Sequence, residues 1–354
     1  MALRPIYGHE QLLARLERAL AAFRFPQSTL LVGPAGVGKQ RIGLWIAQGL
    51  LCERGPGRPC EECASCRQVA GLNHPDLHWF VPILRPKGGN PDQQVEEAEE
   101  LLAEAMAYRR ANPLYGGPDP MASHPLASIR LLLRRVALRP FQGQRKVIVL
   151  ANAERLVVQE ASQEAANALL KVLEEPPPGT YMILTAREAQ VLLPTIRSRL
   201  VPVRVGAVGD EAVRRFLEAE MAPPPGGAVL ERLVVLAEGA IGRAVAAGLK
   251  RKQEDEAWAV DGLARAIREG ARGWAALALK QPPWSARGEF TAGLDALAMR
   301  LRAQAAKAAR EQPDRLPRWL AALEAVERTR EEALGNANPQ LALAVLAQEL
   351  EAVL

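Results

Sequence analysis

Thr29-Leu30-Leu31-Val32-Gly33-Pro34-Ala35-Gly36-Val37-Gly38-Lys39-Gln40 reads as a short apolar strand, a glycine-rich turn and the start of a helix near Lys39. From Gly33 to Lys39 it spells G-x-x-x-x-G-K, the phosphate-cradling loop, which in its full form continues with Ser or Thr. In such a loop Gly33, Gly36 and Gly38 let successive backbone N–H groups converge on phosphate oxygens. The helix N-terminus adds positive potential there, and Lys39 reaches the terminal phosphates. The hydroxyl position is Gln40. An amide oxygen is a poor substitute for a hydroxyl in the tight octahedral geometry of Mg²⁺. The expectation is a nucleotide-binding fold that binds ATP weakly or not at all and does not hydrolyse it. The plain alternative is a loop that merely packs.

A chain of 354 residues has room for two or three domains, and 49% hydrophobic content sustains real cores. Aromatics make up only 5%, while Ala, Leu, Arg and Glu abound, which favours helix. Net charge is 45 − 40 = +5, compatible with nucleic acid or an acidic partner and equally with an ordinary solvated surface. Met1-Ala2-Leu3-Arg4-Pro5 lacks the charged start and apolar run of a signal peptide, and no apolar stretch reaches transmembrane length. The expected location is the cytoplasm.

Residues 8–24 carry Leu12, Leu13, Leu16, Leu20 and Phe23 at helical spacing, and residues 39–51 carry Ile42, Trp45, Ile46 and Leu50. Strand, loop and helix together open an α/β domain. All four cysteines follow within fifteen residues, Cys52, Cys60, Cys63 and Cys66, spaced C-x₇-C-x₂-C-x₂-C. Four thiolates gathered by tight turns predict a structural, tetrahedral Zn²⁺ site; a reduced compartment argues against disulfides. His74 and His78, in the run His74-Pro75-Asp76-Leu77-His78-Trp79-Phe80, are read as turn and strand surface, because the cysteines already complete a site. Residues 85–125 read as an inserted surface excursion, partly flexible, with an acidic helix around 92–110 whose Glu96, Glu97, Glu99 and Glu100 form a solvated face.

A basic helix is expected at 126–138. Then Lys146-Val147-Ile148-Val149-Leu150 forms an apolar strand running into Ala151-Asn152-Ala153-Glu154. A phosphate-loop ATPase presents at this strand end an Asp for Mg²⁺ and a carboxylate to activate water. Ala151 and Asn152 supply neither, a second and independent loss of the hydrolytic apparatus. Further on come a helix at 164–175 stopped by Pro176-Pro177-Pro178-Gly179, a buried strand at 181–185, Leu193-Pro194-Thr195-Ile196-Arg197-Ser198-Arg199, and a short strand at 201–205. The organisation expected is an α/β domain over 1–207, a small helical domain over 208–249 and an all-α domain over 250–354. In the last, Phe290, Leu294, Leu297 and Leu301 mark one helix face, Leu320, Leu323 and Val326 another, and Leu341, Val345 and Leu346 a third.

Gly8-His9-Glu10, the Gly33–Lys39 loop, the cysteine cluster, HPDLHWF, ANALLKVLEEPP and LPTIRSR together resemble the clamp-loader ATPase subunits of bacterial DNA polymerase III, of the AAA+ class. The damaged loop and missing carboxylates look like the delta-prime type rather than the ATP-hydrolysing gamma/tau type. The resemblance implies an AAA+ domain, a helical lid and a C-terminal collar that joins gamma/tau and delta subunits in a five-membered ring. That ring places the sliding clamp on primed DNA. It also implies that Cys52, Cys60, Cys63 and Cys66 are zinc ligands. Ser198 and Arg199 match the start of a Ser-Arg-Cys motif whose arginine reaches the ATP of the adjacent subunit; Leu200 replaces the cysteine. Gly239-Ala240-Ile241-Gly242 falls on the lid's sensor motif, with Gly242 where hydrolysing members place arginine and Arg243 one residue late. The alternative reading is a competent AAA+ motor, gamma/tau-like or another remodeller.

Overall fold

The computed structural model describes residues 3–248 apart from 88, 115, 116, 118, 120, 157–162 and 223, and then 263, 267, 269–279, 289–334 and 338–353. The chain divides into two compact units, Met1–Gly248 and Leu249–Leu354.

The first unit is organised by five parallel strands, β1 (Ser28–Val32), β2 (Leu77–Phe80), β3 (Lys146–Leu150), β4 (Thr180–Ala186) and β5 (Val201–Arg204), in the order β2-β3-β4-β1-β5. Leu30 stands opposite Leu184, Val149 opposite Ile183 and Phe80 opposite Leu150. A parallel sheet is covered on both faces, so its inner strands read as unbroken apolar runs rather than alternating ones. Every residue of β3 is buried, including Lys146, whose ammonium donates to the Arg135 carbonyl (2.6 Å) and to that of Leu138. Helices α1 (Glu10–Ala21), α2 (Lys39–Leu51), α3 (Ala64–Ala70), α4 (Pro91–Ala111), α5 (Leu126–Ala137), α6 (Gln163–Glu174) and α7 (Pro194–Arg197) connect and flank the strands. β1 and β4 are neighbours although two strands separate them in the chain. Open α/β sheets bind ligands beyond the strands' C-terminal ends where the strand order switches, and the loop after β1 lies there.

Helix α4, the acidic helix expected within 85–125, is anchored in the core along one side. It begins on Asn90, whose side chain accepts the Gln93 N–H at 2.9 Å, with Pro91 at the first helical position. Its Val95, Ala98 and Leu102 are buried in the main core beside α5. Burying side chains such as Val95 and Leu102 stabilises by roughly 1.5–3 kcal/mol each. The acidic face is mostly exposed, as expected, but Asp92 accepts from Arg134 at 2.6 Å and Glu99 pairs with Arg135 on the basic helix α5. Three further helices, α8 (Asp210–Glu220), α9 (Gly227–Ala237) and α10 (Ile241–Gly248), enclose their own core of Val213, Phe216, Leu217, Leu230 and Val234. Tyr7 packs edge-on against Phe216, ring centres 5.4 Å apart.

The second unit contains α11 (Ala271–Leu279), α12 (Glu289–Glu311), α13 (Leu316–Leu334) and α14 (Pro339–Val353). Phe290, Leu294, Leu297 and Leu301 of α12 are buried as their spacing predicts. Leu320, Leu341 and Val345 are exposed, contrary to expectation; Leu343, Leu346 and Leu350 form the inner face of α14. That helix is apolar on most of its circumference, so periodicity alone did not select the buried stripe.

Candidate functional site

Gly33 follows β1 in a space that admits no side chain: a Cβ there would stand 1.9 Å from the Val205 carbonyl oxygen. From Gly33 to Lys39 the chain turns into α2, and its carbonyls are taken by the protein itself. Lys39 Nζ donates to the carbonyls of Gly33 (2.6 Å) and Pro34 (2.7 Å). The Gly36 carbonyl accepts the Gly242 N–H at 2.8 Å, and the Val37 carbonyl lies 2.9 Å from His9 Nε2. Lys39 is only 7% exposed. Burial pulls its pKa down to about 8, against the opposing pull of Glu154.

Gly36 has φ 84°, and α10 begins directly against it. A Cβ on Gly242 would lie 2.8 Å from Gly36 Cα. The position that the family resemblance associates with a sensor arginine thus has no room for any side chain. Arg243 turns away to Glu238 at 2.5 Å.

At the strand end opposite stand Ala151 and Asn152, where the sequence reading looked for carboxylates. Ala151 is fully buried, and its carbonyl is 2.6 Å from Nε2 of the buried His124. Asn152 sits in the left-handed region (φ 53°), and its N–H donates to Thr185 Oγ1 at 3.0 Å. Its Oδ1 accepts from Gln40 Nε2 at 2.8 Å. Gln40 Oε1 in turn accepts from Arg109 Nη1 at 3.1 Å, and the Arg109 guanidinium lies over the Trp79 ring, 4.3 Å from its centre. Asn152 Nδ2 reaches Glu154 Oε1 at 3.4 Å, and Arg187 approaches the same oxygen at 3.8 Å. The two residues that depart from the hydrolytic pattern, Gln40 and Asn152, are therefore bonded to each other. Arg109 and His124 were not singled out by sequence reasoning, while Trp79 entered only within HPDLHWF and Thr185 only as the end of a strand. Thr185 was detectable as the last polar residue of an apolar strand; Arg109 carried no signal in a charged helix.

The four cysteines converge as their spacing predicts: their sulfurs all lie within 4.8 Å of one another, with Cys60 and Cys66 at 3.8 Å. A tetrahedron of thiolates on arms of about 2.3 Å has edges of about 3.8 Å, so the donor set fits a zinc-sized ion. Cys63 caps α3, accepting the Cys66 N–H at 3.3 Å, while the Cys63 N–H points at Cys60 Sγ at 3.4 Å. Such backbone donors hold the Cys60 thiol down at about 6, whereas burial raises Cys52 and Cys66. His74 and His78 stay out of the cluster. His74 is nonetheless no surface residue: it is buried, with Nδ1 accepting the Asp76 N–H (3.0 Å) and Nε2 2.8 Å from Ser65 Oγ. Ser65 Oγ donates to the Leu51 carbonyl at 2.6 Å. An imidazole that accepts at Nδ1 donates at Nε2, so this trio is a structural pin between cysteine module and sheet, not a catalytic relay.

Arg199 follows α7 on the rim, its side chain 29% exposed. Its Nε and Nη2 both donate to Glu174 Oε2, at 3.1 and 3.0 Å, and Nη1 donates to the Thr195 carbonyl at 2.8 Å. Lys39 and Arg199 thus belong to different surroundings, one buried and one partly exposed.

A five-stranded parallel sheet of this order, a phosphate loop after β1 and a small helical core resting on that loop define an α/β nucleotide-binding domain of the AAA+ class. Residues 8–208 match the family described as DNA polymerase III, delta subunit, and the chain belongs to the delta-prime clamp-loader subunits of DNA polymerase III. The delta-prime subunit of Pseudomonas aeruginosa is 32% identical over 241 residues, 68% of this chain and 61% of that one. The delta-prime subunit of Bacillus subtilis is 25% identical over 201 residues, 56% of this chain and 48% of its own length. The tau subunit of Escherichia coli is 28% identical over 214 residues, 60% of this chain and 27% of that one. The chain thus spans between about a quarter and 61% of the lengths of these relatives. No helix among the described residues is long and apolar enough to cross a membrane.

Proposed function

We propose that this chain is the non-hydrolysing, stator-like member of a clamp loader that places the sliding clamp on primed DNA. In this reading 1–207 is the AAA+ domain, 208–249 the lid and 250–354 the collar that joins gamma/tau and delta subunits in a five-membered ring in the cytoplasm. The observation that carries it is the Gln40–Asn152 hydrogen bond at 2.8 Å. Phosphoryl transfer needs a Mg²⁺ ion held between the residue after the loop lysine and a strand-end carboxylate. Here those places are spent on an amide pair. Lys39 would also have to leave two carbonyls of its own loop to meet a phosphate.

Arg199 is the residue through which the chain contributes chemistry, as a finger on the ATP of a neighbouring motor subunit. A guanidinium keeps its charge and presents a rigid fork of donors to phosphate. Glu174 and the Thr195 carbonyl hold it at the rim until that phosphate arrives. Cys52, Cys60, Cys63 and Cys66 hold one structural Zn²⁺, which would keep all four as thiolates and staple residues 52–66. Elemental analysis of protein purified without chelator should find one zinc per chain; fully folded protein without metal sinks that assignment.

The test of the whole reading is an ATPase assay on the isolated chain, followed by co-elution with the loader's other subunits. No turnover is expected from the chain alone, and it should elute in the complex. Turnover on the order of 1 s⁻¹ from the chain alone would identify a motor and overturn the reading.

A further inference from the structure

We propose that α4 is an internal plug for the chain's own phosphate-loop site, and that Arg109 is the group it inserts. The inference rests on the reading that this site no longer works on nucleotide, and adds what fills it. Arg109 lies in the last turn of α4 and is 5% exposed. Its guanidinium is held flat over Trp79 and bonded to Gln40, the residue next to the loop lysine. The rest of the helix is fixed independently, by the Asn90 cap, by Val95, Ala98 and Leu102 in the core and by the Arg134–Asp92 pair. The plug is thus delivered by a rigid element rather than by a wandering side chain.

The chemistry of Gln40 explains why the loss of the hydroxyl and the presence of the helix belong together. Arginine only donates, so the Gln40 amide oxygen must face Arg109, which turns the amide N–H₂ toward Asn152 Oδ1. One side chain with an acceptor end and a donor end bridges α4 to the end of β3. A Ser or Thr hydroxyl is too short to do both. Where a working loop keeps a divalent cation beside this residue, the chain keeps a permanent monovalent one. A metal ion arriving there meets a like charge, and the Glu154 carboxylate already faces Asn152 and Arg187.

The experiment compares the full-length protein with Arg109→Ala and Gln40→Ala, titrating each with a fluorescent ATP analogue, with Mg²⁺ and with EDTA. Amide hydrogen exchange is followed over residues 105–111. The wild type should show no saturation up to about 1 mM nucleotide. Arg109→Ala should bind at least about tenfold more tightly than the wild type. Both variants should exchange faster in the last turn of α4, since each removes one side of the same contact. Gln40→Ala keeps the helix and its core residues but releases Arg109 from the loop, so it should gain nucleotide binding in the same direction and carries the test if Arg109→Ala does not fold. Faster exchange with no gain in binding reduces Arg109 to a packing contact and overturns the plug. Weaker binding in Arg109→Ala than in the wild type makes Arg109 a phosphate ligand and overturns it too. Tight MgATP binding with turnover by the wild type overturns the proposed function as well, whereas a wild type and variants that all fail to bind remove the plug alone.

Discussion

Lys39 and Arg199 are the two cations that the proposed function assigns to nucleotide sites, and their surroundings are opposite. Lys39 is enclosed, its ammonium spent on the carbonyls of Gly33 and Pro34, with the amide pair Gln40–Asn152 beside it. Arg199 stands on the rim, held by one carboxylate and one carbonyl. A buried donor or acceptor costs free energy unless it is partnered. Around Lys39 the donors and acceptors are partnered among themselves, with Lys39 buried and Gln40 and Asn152 half-buried. In the proposed role, an arginine that meets a neighbour's phosphate must instead stay charged and reachable. The two regions should therefore answer to different measurements: the first to folding of the isolated chain, the second to turnover of the assembled complex.

The largest expected effect breaks the outward half. Arg199→Ala should leave the chain folded and able to enter the ring, yet slow DNA-stimulated ATP turnover and clamp loading. Fingers of this kind contribute roughly 10³–10⁵ at a single site, and one site among several in a ring should show less. Unchanged turnover with the variant demonstrably incorporated would return Arg199 to the status of a surface ion pair with Glu174.

The enclosed half should respond to acid through folding alone. His124 lies beneath the site, 2.6 Å from the Ala151 carbonyl, and its ring Nδ1 has no partner. Burial is the main cause that lowers its pKa from 6.5 to about 4, helped by Arg155 and opposed by the bond to Ala151. Between those values the unfolded chain binds a proton that the folded chain refuses. The stability due to neutral His124 is thus complete above pH 6.5 and lost as pH falls toward 4, a loss of up to about 3 kcal/mol. Burial depresses His78 to about 4 as well, so it titrates in the same window. His124→Gln should therefore flatten only part of the fall in urea midpoint between pH 7 and pH 5. An unaltered pH profile would show that His124 does not report on this region.

A smaller effect is expected from Thr185→Val, which leaves the Asn152 N–H without its acceptor while preserving side-chain shape. An unsatisfied buried donor costs about 1–3 kcal/mol, and the half-buried Asn152 should fall at the low end of that range. Urea unfolding of the isolated chain should show that loss, and loader turnover with the variant incorporated should not change. A turnover defect without a stability defect would mean that the enclosed site still takes part in chemistry.

How much of this was legible beforehand depends on the range of the interactions. The β1 strand, the glycine loop and α2 are local, and G-x-x-x-x-G-K marks them; the cysteine spacing is equally local, and the four sulfurs do meet. Ala151 and Asn152 could be read as missing carboxylates because strand ends are easy to find in β-branched runs such as Val147-Ile148-Val149. That Gln40 and Asn152 bond to each other was not legible, since 112 residues separate them. Arg109 was hidden for the same reason, 69 residues from Gln40 in a helix whose surface is charged throughout. His74 was misjudged because a His-Pro-Asp turn looks exposed until Ser65 arrives from the cysteine module. In α14 the stripe failed because too many positions are apolar.

The smallest effect sharpens the outward half. Glu174 accepts both Nε and Nη2 of Arg199 on one oxygen, and its side chain is largely exposed. A pair so open to water contributes less than about 1 kcal/mol to folding, so Glu174→Gln should leave the urea midpoint nearly unchanged. Its effect on the complex has two possible signs. If Glu174 competes with the neighbour's phosphate for the guanidinium, neutralising it raises turnover. If it holds the guanidinium in place, neutralising it lowers turnover. The geometry favours the second, because the Thr195 carbonyl holds Nη1 from another side, so that two anchors fix a side chain with much rotamer freedom. Losing the charge of one anchor should slow DNA-stimulated turnover by less than about fivefold, the rate equivalent of about 1 kcal/mol. Raising the salt concentration should bring wild type and variant together, because screening weakens the same exposed attraction. A faster loader with Glu174→Gln would show that the carboxylate restrains Arg199 rather than presenting it.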